Sequence, residues 1–428
     1  MTDAPSEPQG TEPQGSAPQS SAAEPASPDT AAGLASSRRL TMIGAMFLMA
    51  TSAIGPGFIT QTSVFTVQMG AAFAFAILIS VLVDIAIQLN VWRVIGVSGL
   101  RANELGNRVL PGLGWVLAVF VFVGGLIFNI GNVGGTGLGL NAMLGLDPKI
   151  GGAISALVAI AIFVSKRAGV ALDRIVAVLG ALMIALMLYV AIVSHPPLGQ
   201  ALANTVAPEH VDFLVITTLI GGTVGGYITF AGAHRMVDSR VTGIEHIRDI
   251  TRASVMGIIV TCIMRVLLFL AILGVVAGGV HLAGQNIAAD AFEAAAGQIG
   301  LRFFGVVLWA ASVTSVIGAS YTSVSFVTKQ STSPRVRNGL TIAFIVVATA
   351  VYLVLNQTPQ TLLIFAGAVN GLILPLGFFV VLWVAWRRRD LLGGYRYPLW
   401  LLILGAAVWL LTIYLGWNSV AGIAKLWA

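Results

Sequence analysis

A hydrophobic stretch that interrupts itself constrains this chain more than any other feature. Thr41 to Val67 is long and apolar enough to cross a bilayer, yet Gly55-Pro56-Gly57 sits inside it. Glycine has no Cβ and proline has no N–H, so a helix is expected to unwind there. Within a membrane, backbone groups released from a helix are tolerated only where protein or a water-filled cavity satisfies them. About 170 residues later a second span carries the same kind of break, Gly221-Gly222-Thr223-Val224-Gly225-Gly226. Two interrupted spans at matching places in two halves point to the substrate site of a secondary transporter.

Composition sets the class. Hydrophobic residues make up 57% of the chain and charged residues 9%, whereas a soluble domain has roughly 25% charged residues. The lipid bilayer is therefore the expected partner. The net charge of +6 could suggest nucleic acid, but the basic residues sit in short loops between apolar spans and build no single polar face. The one cysteine, Cys262, excludes an intrachain disulfide, and its apolar surroundings suit packing. Residues 1–36 are rich in Pro, Ser, Ala and Gln and carry five acids and no base. Such a segment cannot bury a core and is expected to be a disordered tail. It lacks the basic start and apolar run of a signal peptide.

Residues 37–428 read as one transmembrane domain of about eleven helices. The spans fall near 41–67, 72–95, 113–141, 150–165, 172–194, 212–238, 253–279, 301–328, 339–356, 360–386 and 398–423. Of the 23 Lys and Arg, nineteen fall in the connections on one side. Lys149, Arg302 and Lys425 fall on the other, and Arg265 lies inside segment 7. This asymmetry predicts a cytoplasmic N-terminus and an external C-terminus. The breaks lie in segments 1 and 6. The chain thus reads as two inverted repeats, 41–194 and 212–386, with one extra helix at 398–423.

Each break leaves two half-helices. Second-half N-termini near Gly57-Phe58 and Gly226-Tyr227 carry partial positive charge and unpaired N–H groups, which favour anions. First-half C-termini near Ala53-Ile54 and Thr223-Val224 offer carbonyls, which favour cations. Nearby side chains are neutral: Thr51, Ser52, Phe58, Thr60, Gln61, Thr62 and Ser63 at the first break, and Thr217, Thr218, Thr223, Tyr227 and Thr229 at the second. No Asp, Glu, His, Met or Cys stands within one turn of either break. Transition metals favour imidazole, thiolate, thioether or carboxylate ligands, so a small anion fits these residues better than a divalent metal. Plain helix–helix packing is the competing role for the hydroxyls.

Ionisable residues inside the membrane are few. Asp84 lies in segment 2 and Arg265 in segment 7. Each would be costly facing lipid, so they are expected either to pair structurally or to serve the path, Arg265 drawing an anion and Asp84 carrying a proton. His234 and Arg235 fall near the end of segment 6, where interfacial snorkelling is expected. Gly131, Gly135 and Gly139 in segment 3 recur every four residues and should let another helix approach closely. Asn129 and Asn132 on the same segment can hydrogen-bond but not titrate. Asn370 and Pro375 suggest an irregular segment 10. No nucleophile–base set, HExxH or P-loop appears, so neither enzyme nor cofactor is expected.

Four stretches resemble the NRAMP family of divalent-metal transporters over roughly residues 40–420. They are GPGFITQTSVF (Gly55–Phe65), NVWRVIGVSGLRANELGNRVLPG (Asn90–Gly112), LIGGTVGGY (Leu219–Tyr227) and AVNGLILPL (Ala368–Leu376). The resemblance implies the LeuT-type fold. Gly55 and Phe58 stand where that family has the Asp and Asn of D-P-G-N. Gly225 and Tyr227 stand where it has the Met and His of M-P-H. Asn129 and Asn132 replace acidic residues linked to proton movement. The chain is similar to a divergent bacterial subgroup whose substrate is not metal, for which bicarbonate or a small carboxylate such as 5-oxoproline is expected. That resemblance also implies a bacterial inner membrane.

The expected function is therefore secondary active transport of a small anion by alternating access, coupled to Na⁺ or H⁺. The expected site is Gly55, Pro56, Gly57, Phe58, Thr60, Gln61, Thr223, Gly225, Gly226 and Tyr227, with no metal ligand. Asp84, Asn129, Asn132, Arg265 and Asn370 are expected along the coupling path. The alternatives are a proton- or sodium-coupled transporter of Mn²⁺ or Mg²⁺, and a non-transporting membrane sensor or partner protein.

Overall fold

The computed structural model describes residues 53–329 and 331–427. The expected tail at 1–36 and the first half of segment 1 lie outside the described residues. Among those described, every regular element is a helix.

Helix α1 (Pro56–Met69) opens directly after the first break, with Gly55 at its N-cap and Pro56 at its first position. Proline suits that position because its N–H would be unpaired there anyway. A short turn leads into α2 (Phe73–Ser98), which closes on Gly99 in the left-handed region. Then follow α3 (Ala102–Val109), α4 (Leu113–Leu144) and α5 (Pro148–Val164), the last capped by the Asp147 carboxylate. Helices α6 (Lys166–Val193) and α7 (Leu198–Val206) meet at a sharp bend of 109°.

The second half opens with α8 (Phe213–Thr223), which stops at the second break and resumes as α9 (Ile228–Asp238). Then come α10 (Ile247–Ala277), α11 (Ile287–Val327, bent at Gly297), α12 (Pro334–Val354), α13 (Pro359–Arg387, with Pro375 inside) and α14 (Leu399–Trp427).

Among the described residues, eight stretches are long and apolar enough to cross a membrane, and nine if the bent α6–α7 pair counts as one. Eleven were expected. The difference has two local causes. Helix α5 has 17 residues and falls just short, while α1 and α2 run together as Pro56–Ser98. Counting α5 and separating α1 from α2 at Gly70 restores eleven.

Helix α4 is the central pillar, packed along α11, α13 and α5. Its glycines explain why. A Cβ on Gly135 would lie 2.2 Å from Pro56 Cβ, and one on Gly139 would lie 2.6 Å from the Trp309 backbone nitrogen. The four-residue glycine repeat therefore seats both the first break and α11 directly on the α4 backbone, as the spacing predicts.

A second anchor fixes the far end of α9. Arg101, just ahead of α3, is fully buried. Its Nη1 donates to the carbonyls of Ser325 and Thr328, each at 3.0 Å, and its Nη2 pairs with Asp238 at the end of α9. Tyr321 Oη donates to the other Asp238 oxygen at 2.9 Å. His234 is buried too. Its Nε2 accepts from the Ala102 N–H at 3.2 Å, and its Nδ1 meets Ser325 Oγ at 3.0 Å. The snorkelling expected of His234 is thereby corrected: α3 and α11 enclose it. Arg101→Ala is expected to cost about 3 kcal/mol, because Asp238 loses its buried partner. A drop of several degrees in the detergent melting temperature checks this.

Candidate functional site

The two breaks meet across the middle of the helix bundle. At the first, Gly57 packs so close to Phe128 on α4 that a Cβ would sit 3.2 Å from its ring. Phe128 in turn meets the Tyr227 ring edge-on at 5.7 Å. One ring thus joins Gly57 of the first break to Tyr227 of the second. The Tyr227 hydroxyl lies beside Asn132, yet neither it nor either amide atom of Asn132 makes a well-formed hydrogen bond. Buried polar atoms without partners are rare, and each calls for a water, an ion or a ligand.

Gln61, fully buried one turn into α1, holds the same junction together. Its Nε2 donates to the Leu363 carbonyl on α13 at 3.0 Å. Its Oε1 has no partner and lies where a Cβ on Gly222 would be, at 2.3 Å. Glycine at 222 is what lets α8 approach α1 this closely. Thr60 is buried on the same helix.

The second break turns through Gly226, whose φ of +53° is in the left-handed region. Asn370 on α13 fills the space a side chain would need there, with its Oδ1 1.7 Å from the position of a Gly226 Cβ. Its Nδ2 donates to the carbonyls of Gly124 and Ala366, at 3.0 and 2.8 Å. Gly225 abuts the Gly221 backbone and the Asn370 carbonyl. The chain closes around this turn, with the Gly225 N–H donating to Ile220 and the Ile228 N–H to Gly225. Asn129 donates to Ser320 on α11 at 3.0 Å.

Arg265 is the residue that joins the two breaks electrostatically. It lies on α10 at 1% exposure. Its guanidinium carbon sits 4.5 Å from the centre of the Phe58 ring on α1, a cation–π distance. Its Nη2 donates to Thr223 Oγ1 at 3.0 Å, and Thr223 ends α8. A fixed positive charge therefore touches a residue from each half. Asp84 on α2 faces this group beside Thr223, but neither of its oxygens accepts a well-formed hydrogen bond. The expected Asp84–Arg265 ion pair is thus not a direct one.

The expectation of a junction without carboxylates is also corrected. Folding brings Asp84 from α2 to within reach of the second break, which spacing along the chain does not reveal. Among the described residues, however, no group of three or more His, Cys, Asp or Glu side chains is placed to hold a metal.

The model of the family described as natural resistance-associated macrophage protein-like (Nramp) matches residues 46–422 of this sequence. The chain belongs to the Nramp-like family. It is a multi-pass membrane transporter, not an enzyme. Two curated relatives share 50% identity with this Nramp-like chain. One is the uncharacterized membrane protein YcsG of Bacillus subtilis, over 93% of this chain and 98% of the relative. The other is an uncharacterized membrane protein of Haemophilus influenzae, over 86% and 92%. Among solved structures, the manganese transporter of Eremococcus coleocola superposes with a TM-score of 0.71 at 16% identity, over 90% of this chain and 87% of that one. MhsT in complex with L-phenylalanine superposes with a TM-score of 0.62 at 19% identity, over 90% and 97%. These likenesses show the fold, the LeuT type with broken helices 1 and 6.

Proposed function

We propose that this Nramp-like transporter moves a small anion, such as bicarbonate or a small carboxylate of the 5-oxoproline kind, by alternating access between its two broken helices. One observation carries the reading: the buried Arg265 guanidinium lies against Phe58 and Thr223, one from each half. The electropositive starts of α1 and α9 add to the same field. Gly57 and Phe58 N–H groups, at the first turn of α1, have no acceptor within the helix by the geometry of any helix start. Arg265 supplies planar donors suited to a carboxylate or bicarbonate edge. The charge asymmetry of the loops supports placing the N-terminus in the cytoplasm and the C-terminus outside a bacterial inner membrane.

The comparisons favour a second reading, a divalent-cation transporter. Family membership supports it, as does the likeness to a manganese transporter. A dication at this junction would have Asp84, Gln61 and backbone carbonyls as ligands. It would also stand beside Arg265, whose charge repels it. Uptake of radiolabelled bicarbonate, 5-oxoproline, Mn²⁺ and Mg²⁺ into proteoliposomes separates the two. Saturable anion uptake untouched by micromolar Mn²⁺ supports the first reading. Saturable Mn²⁺ uptake without anion flux overturns it in favour of the second.

Gly55 offers a sharper test. Gly55→Asp puts a carboxylate at the N-cap of α1, where it takes the free N–H groups and neutralises the helix start. Anion uptake is expected to fall roughly 5- to 30-fold, the equivalent of about 1–2 kcal/mol of lost attraction. Uptake equal to wild type would mean that the anion is not held at the tip of α1.

A further inference from the structure

Asp84 is an acid enclosed by protein and left without a salt bridge among the described residues. It lies in the middle of α2 at 1% exposure, and neither of its oxygens makes a well-formed hydrogen bond, the Thr223 hydroxyl being the side chain beside it. Arg265 faces it but directs Nη2 to Thr223 instead, and Arg265 Nε is unpartnered as well. Two opposite charges thus share one enclosure without touching.

Resting on the anion reading above, we propose that Asp84 is the coupling group, exchanging the charge of Arg265 for a proton whenever an anion is bound. With no anion present, the Arg265 guanidinium offsets part of the cost of burying a charge on Asp84. An anion that engages Arg265 uses up that counter-charge. Asp84 is then a buried carboxylate with nothing to balance it, which is an expensive state in a low dielectric. It takes a proton from the side open to water, forming one O–H bond, and gives it up on the opposite side when the anion leaves. Anion and proton cross together with no net charge moved. Linkage requires the converse: acid on one side raises anion affinity on that side.

The surroundings leave Asp84 as the group able to do this. Cys262 and Arg265 face it from α10, and Thr223 faces it from α8. Helices α1 and α7, which also lie near α2, contain no titratable side chain, and on α13 and α14, which pack on it as well, the titratable side chains are Arg387, Tyr414 and Lys425. His234 on α9 is engaged by Ala102 and Ser325, and Thr229 on that helix is bonded to Gln88 of α2 at 2.7 Å.

Proteoliposomes loaded with the pH dye pyranine, with radiolabelled 5-oxoproline outside, test the proposal. With the outside one pH unit more acidic, wild type should concentrate 5-oxoproline toward about tenfold, the limit for one proton per anion. The dye should report acidification that follows uptake. Asp84→Asn should lose this concentrating ability, bringing the ratio to about one, while exchange of labelled for unlabelled 5-oxoproline at equal pH is slowed but still measurable. Asp84→Asn that still concentrates 5-oxoproline overturns the proposal. So does wild-type uptake without proton movement. If Asp84→Asn does not fold, Asp84→Glu decides: its uptake should keep the proton dependence with a displaced pH midpoint, and an unmoved midpoint overturns the proposal. Absence of any 5-oxoproline or bicarbonate flux in wild type is a separate result, which sinks the anion reading and this inference with it.

Discussion

Arg265→Ala is expected to lower anion uptake by roughly 30- to 150-fold, the equivalent of about 2–3 kcal/mol for a lost charge-assisted contact. Among the described residues, the guanidinium is the positive side chain seen to touch both halves of the broken-helix pair, through Phe58 and Thr223. Arg265→Lys should recover only part of the flux. An ammonium keeps the charge but lacks the planar fork that grips a carboxylate edge while still reaching Thr223. A plain loss of folding must be separated from a loss of transport, since Arg265→Ala also leaves Asp84 buried without a counter-charge. The double variant Arg265→Ala with Asp84→Asn removes that burden. It should elute as a single monodisperse peak in detergent and still carry little anion. Flux at the wild-type level in a well-folded Arg265→Ala protein would show that the anion does not use this charge.

Gly226→Ala should damage folding more than its single methyl group suggests. The position has φ +53°, where an L residue with a Cβ is disfavoured by about 1–2 kcal/mol. The new Cβ would also overlap Asn370 Oδ1, 1.7 Å away. Asn370 cannot simply swing aside, because its Nδ2 is bonded to Gly124 and Ala366. Giving up those bonds in a buried site adds about 1–3 kcal/mol. A total near 3 kcal/mol should appear as a clear drop in melting temperature and expression, together with lost transport. Adding Asn370→Ala should remove the overlap but not the backbone strain, so stability should recover in part. A melting temperature unchanged from wild type in Gly226→Ala would mean that the second break does not turn through this residue as described.

Much of the fold was legible because membranes restrict the options. A chain with long apolar runs must satisfy its backbone within helices. Gly55-Pro56-Gly57 and the glycine run at 221–226 marked both breaks before any contact was known, since helix interruption is a local property of these residues. The four-residue glycine spacing on α4 likewise foretold close approach, and Gly135 against Pro56 with Gly139 against Trp309 is the outcome. The count of spans was less legible. A 17-residue helix and two helices joined by a three-residue turn defeat a criterion based on length.

The candidate site divides in the same way. Phe58, Gln61, Thr223 and Tyr227 lie in or within two turns of the breaks, so they were visible from position alone. Arg101 looked like one more loop arginine, and His234 like an interfacial histidine. Only packing by α3 and α11 buries them and ties α9 in place. Asn370 was a lone amide in a proline-bearing helix until the structure set it against Gly226.

The sequence by itself determined that this is a helical membrane protein with two interrupted spans, because hydropathy and the conformational limits of Gly and Pro act over a few neighbouring residues. Only the tertiary structure decided which charges meet there. Asp84, Thr223 and Arg265 come from three helices, and 139 and 42 residues of chain separate them in turn. Electrostatic interaction depends on distance through space, and no local pattern in the chain records that distance.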